Sequence, residues 1–192
     1  MCISDRSRIV LKGPTGSGKT LLLRVLAGLE NPDQGQVFFQ ERNQNQWKMP
    51  EYRTQVALLP QRPAFQEGSV EKNWRMPFDF RERSNQHYES SRFKPWLEML
   101  ELPNDFARKQ TAELSGGERQ LAALLRMLQF DPHLLLLDEP ASALDESKSK
   151  KMEELLNDWQ KQVPGRTWIW VSHDSRQAER IGDEVLELGA VS

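Results

Sequence analysis

The hydrophobic pattern changes rhythm twice along the chain. Arg8–Lys12 (RIVLK) is a short apolar run feeding a glycine-rich turn, the pattern of a strand buried on both faces. Lys19–Leu29 then carries Leu22, Val25, Leu26 and Leu29 at helical spacing, and Asn31-Pro32 ends it. Val37–Phe39 and Val56–Leu59 predict further strands, the second closed by Pro60. From Glu71 to Phe130 the pattern turns helical and polar, with amphipathic stretches around Trp96–Leu102 and Leu121–Leu128. After Pro132 the strands return at Leu134–Leu137, Thr167–Val171 and Glu184–Leu188, with a charged helix over Ser147–Gln162. Alternation of this kind predicts an α/β domain with a parallel sheet and a helical lobe inserted into it. Asn43–Gln46 is a polar cluster, predicted as a loop.

A length of 192 residues suits one domain, with a core over 1–70 and 131–192 and a helical subdomain over 71–130. No apolar run approaches the ~18–20 residues of a membrane span. The charge of −2, from 26 Lys plus Arg against 28 Asp plus Glu, speaks against a dedicated nucleic-acid binder, so no nucleic-acid partner is expected. One cysteine, Cys2, allows no internal disulfide and suits a reducing cytosol. Asp5, Arg6 and Arg8 break up any apolar leader.

Gly13-Pro14-Thr15-Gly16-Ser17-Gly18-Lys19-Thr20 matches G-x-x-x-x-G-K-[ST] in full, after a predicted strand and before a predicted helix. Glycines let successive backbone N–H groups turn toward a phosphate, and the helix start adds its positive dipole end. Lys19 is expected to reach the β- and γ-phosphates and the Thr20 hydroxyl to ligate Mg²⁺. His133–Pro140 (HLLLLDEP) is a four-leucine strand ending in two carboxylates. Ligands of open α/β sheets sit at the carboxyl ends of the strands, so Asp138 and Glu139 should share the crevice of the phosphate loop. Asp138 there would support Mg²⁺ and Glu139 would act as general base on the attacking water.

Leu114-Ser115-Gly116-Gly117-Glu118-Arg119-Gln120 resembles the LSGGQ signature of ABC ATPases, with Glu in place of the final Gln. Ser115 and Glu118 also form a capping box at a helix start, and the two readings are compatible because such a start is itself an anion site. The other family elements follow in order: Gln61 resembles the Q-loop glutamine, Ser142–Asp145 the D-loop, and His173 the switch histidine. The resemblance runs from Asp5 to the C-terminus.

It implies a P-loop NTPase (RecA-like) core with an inserted helical subdomain, and an ATP-hydrolysing subunit that powers transport through a separate transmembrane permease. It also implies a head-to-tail homodimer, with each ATP between the Gly13–Thr20 loop of one subunit and Ser115–Glu118 of the other. In that arrangement Gln61 senses Mg²⁺ and water, His173 touches the γ-phosphate, and Asp145 works across the interface. Localisation would be cytoplasmic, peripheral on the cytoplasmic face of the inner or plasma membrane. Tyr52–Val56, Gln61–Phe65, Leu128–Pro132 and Ser142–Glu146 are similar to the bacterial Fet/Ybb-type ATPases, which points to export of iron or another metal.

Two departures stand out. Family members stack adenine on an aromatic residue upstream of the phosphate loop, a contact worth about 1 kcal/mol, and here no aromatic precedes Phe38. The N-terminal antiparallel strands of the family are also reduced or missing, which suggests an N-terminally truncated chain. Phe65, Trp74, Phe78 and Phe80 form an aromatic run that is either a permease-docking groove or core of the helical lobe. The remaining tryptophans are expected to pack. The alternatives are a soluble, non-transport ABC ATPase of DNA repair or the ribosome, and a P-loop kinase outside the family. The first lacks room for a long coiled coil, and the second leaves Leu114–Gln120 without a purpose.

Overall fold

All the predicted strands except Val37–Phe39 pair into a single parallel sheet, in a computed structural model that describes residues 4–80 and 86–189. The strands are β1 (Arg8–Lys12), β4 (Val56–Leu59), β5 (Leu134–Asp138), β6 (Thr167–Val171) and β7 (Glu184–Glu187), in the order β4-β5-β6-β1-β7. A separate two-stranded antiparallel hairpin is made by β2 (Phe38–Phe39) and β3 (Arg42–Asn43). Its two loop residues, Gln40 and Glu41, have φ of 49° and 61°, as a tight two-residue turn requires. β6 is buried along its whole length, which explains its unbroken TWIWV run. β7, at the sheet edge, leaves Val185 exposed.

The helices beside this sheet are α1 (Lys19–Leu26), α2 (Met49–Gln55) and α7 (Ser175–Ile181). α1 stops before Asn31-Pro32. Gly28 takes φ 65°, its N–H donates to Val25 O at 3.0 Å, and Leu29 N–H donates to Arg24 O at 2.9 Å, a Schellman closure. Asn43–Gln46 is not a solvated loop: Asn43 ends β3 and Gln44–Gln46 is one 3₁₀ turn. Gln44 is buried, and its Nε2 donates to Val25 O and Leu26 O, satisfying carbonyls that α1 leaves open at its last turn. Ile9, Leu11, Leu23, Tyr52, Val56, Leu136, Ile169 and Val171 form the core here, and the Tyr52 hydroxyl donates to Leu26 O at 2.6 Å.

The chain parts into two compact units. One holds the described residues of Met1–Pro60, Pro132–Pro140 and Val163–Ser192, and the other those of Gln61–Asp131 and Ala141–Gln162. The helical unit is therefore larger than 71–130, because 61–70 and the charged helix join it. It contains α3 (Val70–Arg75), α4 (Lys94–Met99), α5 (Gly116–Leu128) and α6 (Glu146–Gln162).

Trp74 decides the open question about the aromatic run. It is fully buried, stacks on Phe93 at 4.0 Å between ring centroids, and donates Nε1–H to Ala122 O at 2.8 Å. It is core of the helical lobe, and the docking-groove alternative does not extend to it. Phe80 differs, with 57% of its surface exposed. Trp159, Trp168 and Trp170 are buried, as expected of packing residues. No helix among the described residues is long and apolar enough to cross a membrane.

Candidate functional site

Because the sheet is parallel, its strand register brings the candidate segments together at the carboxyl ends of the strands. Leu11 of β1 and Asp138 of β5 both lie opposite Val171 of β6. The residues that follow these three positions are Lys12-Gly13, Glu139 and Ser172-His173, so the loop, the carboxylates and the histidine leave the sheet side by side.

Three glycines shape the loop, with φ of 150° at Gly13, 82° at Gly16 and 87° at Gly18. At Gly13 the constraint is also steric, since a Cβ would lie 2.5 Å from Leu188 O and 2.7 Å from Ser17 Oγ. Gly18 is the N-cap of α1 and offers no side chain to its first turn, so the N–H groups there stay open for an anion. Lys19 is buried, and its Nζ donates to Gly13 O at 2.9 Å and Pro14 O at 2.8 Å, which folds it back along the loop. Ser17 Oγ is buried with no hydrogen-bond partner, a polar atom prepared for something the loop encloses.

Thr20 Oγ1 donates to Asp138 Oδ2 at 2.9 Å. Burial pushes the Asp138 carboxyl above its ordinary range; the Thr20 hydrogen bond opposes this, and the neighbouring Glu139 charge adds to it. Glu139 has φ 48°, a left-handed conformation that costs a non-glycine residue about 1–2 kcal/mol. Its Oε1 lies 2.9 Å from His173 Nε2. Asp174, next in sequence, caps α7 by accepting from Arg176 N–H and Gln177 N–H. That cap fixes the turn from which His173 projects.

A hydroxyl beside a carboxylate is a donor set of hard oxygens, which suits Mg²⁺. This ion is usually held by one or two protein oxygens together with substrate phosphates and water. No group of three or more His, Cys, Asp or Glu that could hold a metal ion occurs among the described residues.

Gln61, Ser115–Glu118 and Asp145 lie in the helical unit. Ser115 caps α5: its Oγ accepts from Glu118 N–H at 3.2 Å while Glu118 Oε2 accepts from Ser115 N–H at 2.9 Å. The capping box is thus formed in full. Gly117 has no room for a side chain, because a Cβ would meet Ala143 O at 2.8 Å. This contact seats the α5 start on the segment just before Asp145. Asp145 Oδ1 accepts from Lys148 N–H at 2.8 Å, a capping role at the start of α6.

Two residues went unmarked in the sequence. Gln120 is buried on α5 and donates Nε2–H to Gln61 O at 2.6 Å. Lys109 Nζ donates to Glu118 Oε1 at 2.8 Å. Burial pushes the Glu118 carboxyl up, but the Lys109 and Ser115 hydrogen bonds outweigh it and hold the carboxyl below its ordinary value. Gln120 lies inside the signature segment. Lys109 stands in a polar stretch without periodicity and could have been found only by asking what neutralises an acidic signature.

The family model described as ABC transporter matches residues 1–142. The chain is 35% identical over 179 residues to "Probable iron export ATP-binding protein FetA" of Escherichia coli (strain K12), covering 93% of this chain and 77% of that protein. It is 34% identical to a sulfate/thiosulfate import ATP-binding protein of Nephroselmis olivacea, covering 94% of this chain and 51% of that protein. It is 36% identical to a spermidine/putrescine import ATP-binding protein of Marinobacter nauticus, covering 97% and 49%. The chain thus spans about half the length of these two importers. Among solved structures, an ATP-binding cassette in a dimeric post-hydrolysis state bound to ADP and Pi superposes with a TM-score of 0.85 at 25% identity. That match covers 100% of this chain and 86% of the other.

Proposed function

The chain belongs to the ABC transporter family as one of its ATPase cassettes, and from this premise we propose that it hydrolyses ATP to drive a separate membrane permease. The observation that carries the reading is the group formed by Lys19, Thr20, Asp138, Glu139 and His173 at the carboxyl ends of the strands.

In this proposal the loop N–H groups and Lys19 bind the phosphates, with Lys19 exchanging its two loop carbonyls for phosphate oxygens. Thr20 and Asp138 would hold Mg²⁺, which when bound neutralises charge developing on the phosphates. Glu139 accepts the proton of the attacking water, and His173 fixes its carboxylate. The roles of sensing Mg²⁺ and water, and of completing the site from a second copy, go to Gln61 and to Asp145 with Ser115–Glu118 on the strength of their resemblance to the family's segments. A head-to-tail dimer with two ATP at its interface follows, and its support is the similar cassette solved as a dimer with ADP and Pi. The two-copy arrangement makes physical sense because a γ-phosphate needs positive groups on both sides. ATP joins the copies and hydrolysis separates them, with the dimer peripheral on the cytoplasmic face of the membrane.

For cargo we infer iron or another metal ion leaving the cell, supported by the similarity to the iron export protein. Sulfate and polyamine importers match at comparable identity, so cargo has to be tested directly. The test has two arms: phosphate release by the purified chain with and without Mg²⁺, and capture of a permease from native membranes followed by metal accumulation in cells lacking the pair. Absence of ATP-dependent phosphate release sinks the enzymatic reading. A permease whose loss leaves metal content unchanged sinks the cargo.

A further inference from the structure

We propose that Lys109 is a positioning residue for the nucleotide site, holding the Glu118 carboxylate against the start of α5 so that the exposed Ser115–Gly116 end can meet a phosphate. This rests on the proposal that Ser115–Glu118 faces the ATP carried by a second copy.

The signature this segment resembles ends in a neutral Gln. A Glu there fills the same capping box but brings a resident anion to the first turn of a helix, where open N–H groups should be receiving someone else's phosphate. Left uncompensated, that charge would repel the incoming γ-phosphate. The geometry shows how this chain deals with it. Both carboxylate oxygens are occupied from within: Oε2 accepts the Ser115 backbone N–H at 2.9 Å, and Oε1 accepts Lys109 Nζ at 2.8 Å. The Glu118 side chain is only 18% exposed, whereas Ser115 and Gly116 are exposed. Ser115 Oγ already accepts the Glu118 N–H, which leaves its hydroxyl proton for a phosphate oxygen.

Lys109 is anchored independently of the signature. Its carbonyl accepts Val70 N–H at 3.0 Å and its N–H donates to Phe106 O at 3.1 Å. The neighbouring Gln110 bridges to Ser69, and Thr111 N–H donates to Gly68 O at 2.9 Å. The backbone that carries the ammonium is therefore held by its own hydrogen bonds, independently of the signature. Other charges nearby have their own partners: Arg119 donates to Thr111 O, and Glu113 accepts from Gln110 N–H. Lys109 is the counter-charge the structure gives Glu118.

The experiment uses the full chain carrying Glu139→Gln, with ATP-driven dimer formation read by light scattering, and KM and kcat measured in the unmodified background. Lys109→Met should raise the ATP concentration for half-maximal dimerisation about tenfold and raise KM more than it lowers kcat. Adding Glu118→Gln should return both to within about twofold of Glu118→Gln alone, since a neutral signature no longer needs the lysine. If Lys109→Met fails to fold, Lys109→Gln is read by the same criteria. A silent Lys109 variant, or a double variant as impaired as the single one, overturns the assignment. Ser115→Ala separates this from the underlying proposal: if it leaves ATP-driven dimerisation untouched, the signature does not meet the nucleotide and both fall. An effect of Ser115→Ala beside a silent Lys109→Met removes only the ion-pair role.

Discussion

Replacing Glu139 with Gln changes one thing at the reacting end of the sheet. The amide has the shape of the carboxylate, keeps an oxygen 2.9 Å from His173 Nε2, and imposes the same φ of 48°. What disappears is the basicity needed to accept a proton from water. General-base contributions of this kind run to about 10²–10⁴ in rate, or roughly 3–5 kcal/mol of barrier. The lost charge acts in the opposite direction on binding. Burial raises the Asp138 carboxyl, and the Glu139 charge adds to that strain beside a site that must take up a polyanion. A unit charge a few ångströms from a phosphate, at an effective dielectric near 20, is worth about 1–4 kcal/mol. ATP affinity should therefore hold or improve, by fivefold or more, while turnover collapses. The assays are phosphate release under steady state and size-exclusion chromatography with ATP, in which the variant should run as a persistent dimer. A rate above about one tenth of the parent, or ATP binding that falls in step with turnover, refutes the assignment of Glu139 as the base.

Gly13→Ala should fail to bind ATP and melt several degrees lower, because its Cβ would press on the Leu188 carbonyl at 2.5 Å; normal binding by isothermal calorimetry would contradict the loop geometry. Trp74→Ala should lose about 3–5 kcal/mol, read by urea unfolding, whereas Trp74→Phe should keep the stack on Phe93 and lose about 0.5–1.5 kcal/mol with the indole hydrogen bond to Ala122 O. A stable Trp74→Ala that fails only in permease capture would restore the docking role. Glu118 titrates below its ordinary 4.5 because its hydrogen bonds from Lys109 and Ser115 outweigh burial, so its contribution to stability is complete above pH 4.5 and is lost as the pH falls further. Glu118→Gln should flatten that acid limb in denaturation curves taken from pH 6 down to pH 3.5, and an unchanged slope would mean the pair contributes nothing.

The parallel core was legible because each strand had to be an apolar run buried on both faces, and such runs announce themselves at β1, β5 and β6. The candidate site was legible for a related reason: the residues proposed for it fall in contiguous strings, Gly13–Thr20 and Leu114–Gln120. What escaped notice depends on long-range pairing. Gln44 sits in a polar cluster, yet it closes the end of a helix 18 and 19 positions earlier. α2 holds Tyr52 against the α1 carbonyls through a hydroxyl, which no hydrophobic period reveals. The Gly28 closure overrode a stop signal three residues further on, because a left-handed glycine satisfies carbonyls that Asn31-Pro32 would leave open.

The local rules also fail in an informative order. A serine hydroxyl buried without a partner, a carboxyl raised by burial and a glutamate in left-handed backbone are each unfavourable. Ser17, Asp138 and Glu139 carry all three, at the carboxyl ends of the strands of one sheet. Packing alone would have removed them, since Gly suits the backbone of Glu139 better than Glu does, and an apolar residue would suit the position of Asp138 better than Asp does. Their retention together is what a site shaped for an absent polyanion and its counter-ion would show. Glu118 differs from these three: its charge is favourable where it stands, held by the capping box of α5 and by Lys109 at 2.8 Å.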